Sequence, residues 1–217
     1  MSEAVTGAQR IDREALAAHL LRTQQAARRV VAIAGAPGAG KSTFVERLCA
    51  RIDDAAPGFA SIVAMDGFHY DDRVLGARGH RARKGAPHTF DVDGFAALLA
   101  RLREDDGRDV AVPVFDRSLE IARAGADVVP ASARLILVEG NYLLLGDAPW
   151  DALRSSFDVT VMLEVPRATL VERLTARWRG YGMDDTALRA KMDGNDLVNL
   201  DTVLSRSVCA DFSVDNG

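Results

Sequence analysis

The stretch that decides the fold of this chain is "VVAIAGAPGAGKSTFVERL", residues 30–48. It opens with β-branched and small apolar residues, as a buried strand does, and it closes with apolar residues at helical spacing. Between these two patterns glycines stand at positions 35, 38 and 40, directly before Lys41 and Ser42. A strand, the pattern Gly-x-x-x-x-Gly-Lys-Ser and a helix, in that order, are typical of a P-loop. The sequence therefore predicts a phosphate-binding turn here.

Each residue type in this turn suits the binding of phosphate. Glycines let backbone N–H groups turn inward around phosphate oxygens, and the start of the following helix adds partial positive charge. Lys41 can reach the outer phosphates and Ser42 can ligate Mg²⁺. We expect a nucleoside triphosphate along the whole turn; the alternative is a glycine turn with an unrelated lysine. The predicted contacts are Gly35, Ala36, Pro37, Gly38, Ala39, Gly40, Lys41, Ser42 and Thr43.

Composition limits the class of protein. The chain has 217 residues and a formal net charge of −4, which argues against nucleic acid and membrane surfaces as partners. Cys49 and Cys209 stand far apart, which suits a reducing compartment and predicts no disulfide framework. Apolar runs of about 18 residues are absent and Glu3, Asp12 and Glu14 interrupt the N-terminal segment, so we expect neither a membrane span nor a signal peptide. The expected location is the cytoplasm, and monomer and homodimer both stay open.

The rest of the chain alternates apolar runs with amphipathic segments. The predicted strands are 29–35, 59–68, 134–140, 157–165 and 211–216. The predicted helices are 11–28 as an accessory N-terminal helix, 41–53, 90–105 with Asp91 as its cap, and 167–180. Residues 109–116 predict a strand at an edge, because Pro113 cannot donate to a central ladder. The alternation predicts an α/β fold, a mostly parallel central sheet flanked by helices, in one domain over residues 1–217.

Two acidic residues stand where predicted strands end. Asp66 follows "SIVAM" and Glu139 follows "LILV". Because the carboxyl ends of parallel strands share one edge of the sheet with the P-loop, both acids are expected to face the phosphates. One can hold Mg²⁺ or its water, and the other can accept a proton from an attacking hydroxyl. The alternative for each is a turn or a cap at the end of its strand.

Six motifs in order carry a family resemblance: "GAPGAGKST", "MDGFHYDD", "TFDVDGFAALLARL", "VPVFDRS", "LVEGNYLL" and "LVERLTARWRGYG". From Val30 onward the chain resembles the uridine kinase, phosphoribulokinase and bacterial pantothenate kinase group of P-loop kinases. It looks most like small bacterial proteins labelled nucleoside kinase-like or fructose transport system kinases. The resemblance implies a P-loop NTPase fold with a small lid, ATP and Mg²⁺ as cofactors, and transfer of the γ-phosphoryl group to a hydroxyl of a small molecule.

The resemblance also implies roles for individual residues. Asp66, which opens "DGF", matches the proposed catalytic base of the group, and Glu139, in "VEG", matches the acid near the metal. Arg173 and Arg177 match arginines of a lid, here residues 173–195, that closes over the transferring phosphate, with Lys41 completing the catalytic set. Arg173, Arg177 and Arg179 at helical spacing also fit a solvated helix face or favourable charge near a helix C-terminus.

On the acceptor side the chain departs from the group at two positions. Arg117 stands where pantothenate kinases have an acceptor-binding histidine, and Gly67 stands where uridine kinases have a serine. The second departure argues mildly against a nucleoside acceptor. Asn195 and Asn199 fall near asparagines that touch the acceptor in pantothenate kinases, in a softer register.

The segment 71–89 lacks clear periodicity and is rich in hydrogen-bond donors, so we predict an acceptor-side loop. It carries Arg73, Arg78, His80, Arg81, Arg83, Lys84 and His88. Such donors can bind hydroxyls, a carboxylate or a phosphate. No aromatic residue for base stacking lies in this segment, which disfavours nucleosides. The alternatives are that the loop is merely solvated, or that it closes on the phosphates of ATP.

Together these observations predict an ATP-dependent small-molecule kinase, with a sugar such as fructose as the first acceptor. The alternatives are a kinase of pantothenate or of a nucleoside, and a regulatory ATP-binding module without catalysis. Further acceptor-side candidates beside Arg117 are His69, Tyr70, His88 and Tyr142. For the first two a packing role is the alternative, for His88 a helix cap, and for Tyr142 a place in the core.

Overall fold

The computed structural model describes residues 7–22 and 27–217. Its strands are β1 (Gln9–Arg10), β2 (Arg29–Ala34), β3 (Ala60–Ala64), β4 (Val110–Asp116), β5 (Ile121–Val129), β6 (Leu135–Gly140), β7 (Val159–Glu164) and β8 (Phe212–Asp215). Its α-helices are α1 (Arg13–Arg22), α2 (Lys41–Asp53), α3 (Asp72–Ala77), α4 (Val92–Glu104), α5 (Arg167–Gly180), α6 (Asp185–Lys191) and α7 (Leu197–Arg206). Short 3₁₀ turns include Met65–Phe68, Arg81–Arg83, Pro87–Thr89 and Trp150–Ser156. Residues Met192–Asp196 form one turn of π-helix between α6 and α7, called the π-turn below.

The main sheet has six strands in the order β1-β8-β7-β2-β6-β3, and every neighbouring pair is parallel. Its centre, β2 and β6, is buried almost throughout, because helices cover both faces and the strands are apolar on both. Helix α2 packs on β2, β3 and β6 and is itself covered by α1, while α4 also reaches β2. The predicted α/β fold with a mostly parallel sheet is confirmed.

The order of the strands brings the functional segments to one edge. Ala34, the last residue of β2, lies opposite Gly140 of β6 and Met162 of β7. The P-loop, the segment after β3 and the segment after β6 therefore begin side by side. This is the edge at which ligands bind in open parallel sheets.

A separate two-stranded antiparallel sheet is formed by β4 and β5. The register shifts between Val112 and Val114, at Pro113, which has no N–H to donate to a ladder. Residues 109–116 thus form part of a hairpin outside the main sheet rather than an edge of it. The partner strand β5 was not predicted, because its sequence "IARAGADVV" is largely exposed and has no apolar alternation.

Three other predicted boundaries differ from the structure. The described part of helix α1 is Arg13–Arg22, residues 27 and 28 of the predicted helix are not helical, and residues 23–26 of that prediction lie outside the described residues. The run 59–68 is a strand only to Ala64, after which a turn redirects the chain. The segment 71–89 contains helix α3, whose N-terminus is capped when Asp71 accepts a hydrogen bond from the Arg73 N–H at 2.8 Å. The predicted Asp91 cap of α4 is confirmed, with Gly94 N–H as its donor at 3.0 Å.

A cluster of aromatic rings lies in the core after β6. Trp150 and Tyr142 are fully buried and pack edge to face with Phe90, which ties the turn after β6 to the start of α4. Cys49 is half-buried and Cys209 is exposed, and the two form no disulfide with each other. Within the described ranges, no helix has the length and apolar character that crossing a bilayer requires.

Candidate active site

The P-loop is a tight turn that leads directly into α2. Gly38 and Gly40 have φ of 85° and 77°, a left-handed backbone that side chains rarely adopt. Gly40 is the N-cap of α2, and no side chain caps this end of the helix. The first N–H groups of an α-helix have no partner within the helix, so those of α2 are available to an anion together with its partial positive charge. The backbone therefore fits a phosphate chain.

Beside this turn lies a cleft of about 380 Å³. It brings together Pro37, Gly38, Gly40, Lys41, Ser42, Thr43, Asp66, His69, Arg117, Glu139, Arg177, Asn195 and Asn199 of the predicted site residues. A larger cavity of about 710 Å³ lies between β7, β8 and the end of α7 and has mostly apolar walls. Ala36 is its one residue from the P-loop, and neither predicted acid lines it. We assign the chemistry to the smaller cleft, because the groups that can bind and transfer phosphate converge there.

Glu139 and Ser42 meet directly behind the P-loop. The Ser42 hydroxyl donates to Glu139 Oε1 at 2.8 Å. Burial raises the pKa of the Glu139 carboxyl, and the charge of Lys41 opposes that rise. No cluster of three His, Cys, Asp or Glu side chains that could hold a metal occurs in the part of the chain that the structure describes. One hydroxyl and one carboxylate suit Mg²⁺, which binds few protein groups and completes its shell with phosphate oxygens and water.

Lys41 lies across the floor of the cleft. Its ammonium group donates to Asn141 Oδ1 at 2.5 Å and to the Ala36 carbonyl at 3.3 Å. Burial lowers the pKa of Lys41, and the carboxylates of Glu139 and Asp66 oppose the shift. The sequence analysis missed Asn141; its place two residues after Glu139, at the end of the same strand, was the available signal.

Asp66 lines the cleft from the turn that follows β3. Its Oδ2 accepts a hydrogen bond from Arg117 Nη2 at 2.8 Å, and Arg117 comes from the turn of the β4–β5 hairpin. Gly67 is required beside it, because a Cβ there would lie 2.8 Å from the carbonyl carbon of Pro113. A serine at this position would need β4 to move. Contact between the turn and the hairpin thus explains the glycine without reference to the acceptor.

His69 is held rigidly next to Asp66. Its Nδ1 lies 2.7 Å from the Asp66 carbonyl, and its ring packs against Phe90 and Phe115 with centroid distances of 4.1 and 4.6 Å. Burial lowers the pKa of His69, which favours the neutral ring. His69 therefore combines the packing role with a place in the wall of the cleft.

The two predicted lid arginines have different surroundings. Arg177 is exposed on α5 and lines the cleft. Arg173, one turn earlier, does not line it; its Nη1 donates to the Asn216 carbonyl at 3.1 Å, and Asn216 Nδ2 donates to the Ala39 carbonyl at 2.7 Å. Arg173 is thereby tied through the C-terminal segment to the P-loop. Arg179 is exposed and lies 3.6 Å from Asp185, as the solvated-face alternative predicts.

Three acceptor-side candidates do not reach the cleft. Tyr142 is fully buried and its hydroxyl donates to the Gly85 carbonyl at 2.6 Å, so the core alternative describes it. The guanidinium of Arg78 covers the Tyr70 ring at 4.3 Å. His88 is exposed and its ring stands 4.6 Å from that of His80.

The acceptor-side loop is bonded to the π-turn. Arg83 donates to the Gly194 carbonyl and, at 3.1 Å, to Asn199 Oδ1. Asn195 Nδ2 donates to the Lys84 carbonyl at 3.0 Å. Residues more than 100 positions apart in sequence therefore form one wall. A π-turn within a helix is frequent at functional sites, and here it buries Asn195 beside the cleft.

Aromatic rings also line the cleft, although the loop itself has none. Phe115 comes from β4, and Trp178 and Tyr181 come from the end of α5. The indole N–H of Trp178 donates to Asp196 Oδ2 at 2.5 Å. The lack of aromatic residues between 71 and 89 is therefore no argument against a nucleoside, because other elements supply them. No local pattern in the sequence indicates that these rings lie beside the P-loop.

A P-loop that faces two carboxylates and an arginine-bearing helix across one small cleft is the arrangement of a P-loop kinase. Comparison with known proteins leads to the same class. A Schizosaccharomyces pombe protein named "Putative uridine kinase C227.14" is 33% identical over 207 residues, which cover 90% of this chain and 86% of that one. No protein-family model matches the chain.

Solved structures that are similar to this chain belong to the same class of protein. The crystal structure of a "putative fructose transport system kinase" from Silicibacter sp. TM1040 has a TM-score of 0.86 and 40% identity, covering 94% of this chain and 98% of that one. YFH7 of Saccharomyces cerevisiae, described as "a putative P-loop containing kinase with a circular permutation", has a TM-score of 0.81 and 19% identity, with the same shares covered, and shows the fold alone. The chain therefore belongs to the P-loop kinases of the uridine kinase, pantothenate kinase and fructose transport kinase type. It is an ATP-dependent phosphotransferase.

Proposed function

We propose that this protein transfers the γ-phosphoryl group of ATP to a hydroxyl of a small acceptor, and that a sugar such as fructose is the first acceptor to test. The observation that carries the proposal is the position of Asp66. Asp66 lines the same cleft as Lys41 and Ser42, but it comes from the turn after β3 and not from the P-loop. A hydroxyl bound at Asp66 would stand in front of a phosphate chain held by the P-loop.

The proposed step uses this chain's residues for positioning and charge. Asp66 accepts the proton as the acceptor oxygen forms its bond to the γ-phosphorus, and the bond from that phosphorus to the bridging oxygen breaks as ADP leaves. Lys41 and Arg177 bring positive charge to the phosphate oxygens. Ser42 and Glu139 would hold Mg²⁺, which neutralises phosphate charge when bound.

The remaining cleft residues are proposed to shape the acceptor end. Asn195 and Asn199 line this end from the π-turn and α7, and His69 closes the wall with a neutral ring. The two amides are bonded to each other, to Lys84 and to Arg83, so they hold the shape of this end, and charged side chains can bind the hydroxyls of a sugar. The rings of Phe115, Trp178 and Tyr181 keep a nucleoside in the panel of acceptors. We propose that Arg173 acts on the nucleotide side, through Asn216 and Ala39, rather than on the transferred group.

The test is ADP release, measured with MgATP and a panel of hexoses, pentoses, sugar acids, sugar phosphates, pantothenate and nucleosides. Acceptor-stimulated ADP release supports the kinase, and the compound with the highest kcat/KM gives the acceptor class. A nucleoside turned over far faster than every sugar and acid would overturn the sugar assignment. Tight ATP binding without response to any acceptor would support a regulatory module in place of a kinase.

A further inference from the structure

Most cations around the acceptor end of the cleft already have partners within the protein. Here the acceptor end means the space between Asp66, the turn 117–120 of the β4–β5 hairpin, and the π-turn. Lys84 donates to Asp72 Oδ1 at 2.8 Å and to the Glu120 carbonyl at 2.5 Å. Lys191 pairs with Asp196 at 3.9 Å and lies over the Trp178 ring. Lys84 therefore uses two of its three N–H donors within the protein, and the charge of Lys191 is balanced by Asp196.

Arg117 is different, because most of its donors are unused. A guanidinium has five N–H donors in a planar fork, and one of them, on Nη2, reaches Asp66 Oδ2. Its side chain is 58% exposed and lines the cleft, and its Cζ lies 6.0 Å from the centroid of the Phe115 ring. The carboxylate of Asp66 also has an oxygen available, since Oδ1 accepts no hydrogen bond from the described residues.

From this pairing we infer that Arg117 and Asp66 recognise two groups of one acceptor: Asp66 Oδ1 takes the reacting hydroxyl, and the free N–H groups of Arg117 bind a carboxylate or phosphate on the same molecule. The inference rests on the proposed kinase function and narrows its acceptor to polyhydroxylated anions. Because Arg117 Nη2 and Asp66 Oδ2 are only 2.8 Å apart, the hydroxyl and the anionic group must lie near each other on one small acceptor, as in a sugar acid or a sugar phosphate.

The planar guanidinium of Arg117 and its hydrogen bond to Asp66 support the inference that Arg117 binds an anion. A planar fork binds carboxylate and phosphate with two parallel hydrogen bonds, whereas an ammonium acts as a point charge. Because Asp66 accepts one N–H of the fork at 2.8 Å, this contact favours one direction of the guanidinium before the acceptor binds. Pre-organisation of this kind improves affinity by lowering the entropy lost on binding. A charge-assisted contact of this type corresponds to about a 10- to 100-fold preference for the anion.

The experiment compares matched pairs of acceptors that differ only in the anion: gluconate with sorbitol, glycerate with glycerol, and fructose 6-phosphate with fructose. For each pair kcat/KM is measured with the wild type, Arg117→Met, Arg117→Lys and the control Arg123→Met. Arg123 lies on the same hairpin, is equally exposed at 58%, and pairs with Asp116 at 3.2 Å, but it does not line the cleft.

The wild type and Arg123→Met are expected to prefer the anionic member of at least one pair by about 10- to 100-fold. Arg117→Met should remove that preference, and Arg117→Lys should keep part of it. Whether the carboxylates or the phosphate carry the effect tells the two anions apart. Equal losses with the neutral and the anionic member in Arg117→Met would overturn the inference, because Arg117 would then only orient Asp66.

Binding of the same compounds is measured by calorimetry with a non-hydrolysable ATP analogue present. This readout does not need turnover, so failure of the proposed function can be distinguished from failure of the inference. If no compound of the panel stimulates the release of ADP, the kinase proposal is overturned. A wild type that binds and turns over neutral and anionic members equally would overturn the role of Arg117.

Discussion

Replacing Asp66 with asparagine tests the centre of the proposed mechanism. The change preserves the shape of the side chain, which sits in the turn Met65–Phe68 and lies 2.8 Å from Arg117. It removes the group that accepts the proton. Loss of a general base costs about 10²- to 10⁴-fold, so kcat is expected to fall by that factor, or about 3–5 kcal/mol of transition-state stabilisation.

The fold and the nucleotide site should change little. The Arg117–Asp66 pair is partly solvated, with side-chain exposures of 58% and 24%. Exposed pairs contribute about 0–1 kcal/mol to the free energy of unfolding, so Tm should move by only a few degrees. Asp66 belongs to the turn after β3 and not to the P-loop, so the Kd for an ATP analogue should stay within about threefold, well under the factor that loss of a charge-assisted contact would produce.

The assay measures kcat at saturating ATP with the best acceptor of the panel, together with the Kd of an ATP analogue and Tm. Asp201→Asn is the matched control, because Asp201 also pairs with an arginine, Arg167 at 2.8 Å, but lies outside the cleft. Its kcat should equal that of the wild type. Wild-type kcat in Asp66→Asn would refute the assignment of the base, and a large loss of ATP affinity would place Asp66 on the nucleotide side.

Three further predictions concern neighbouring groups. Lys41→Ala should abolish turnover with the fold retained by circular dichroism, because the buried charge next to the phosphates is lost while removal of a buried cation does not weaken the core; wild-type turnover would remove the nucleotide site from this cleft. Glu139→Gln should raise the Mg²⁺ concentration for half-maximal activity by about 10-fold or more, since the ligand keeps its shape and loses its charge, and an unchanged Mg²⁺ titration would contradict it. Burial raises the pKa of Tyr142 above its ordinary value of 10, so its contribution to stability is complete below pH 10 and is lost as the pH rises further. Urea unfolding above pH 10 should show the free energy of unfolding falling by up to about 1.4 kcal/mol per pH unit in the wild type, and less steeply in Tyr142→Phe. Equal slopes in the two proteins would place the hydroxyl in water.

Local sequence determined the parts of this protein whose signals are short in range. The P-loop and the strands β2, β6 and β7 were predictable, because apolar β-branched runs and glycines at fixed spacing restrict the backbone within a few residues. The positions of Asp66 and Glu139 at one edge followed from the rule that parallel strands share their carboxyl ends. The chemistry at that edge was therefore readable without coordinates.

Tertiary structure decided which of these side chains meet. Arg173 and Arg177 lie on the same helix with the same sequence signal, yet one bonds to the C-terminal segment and the other lines the cleft. The pairing of Asp66 with Arg117 joins positions 51 apart, and the contact of Asn195 with Lys84 joins positions 111 apart. Such contacts depend on how whole elements pack, and the energy of packing is spread over many residues that no short motif contains.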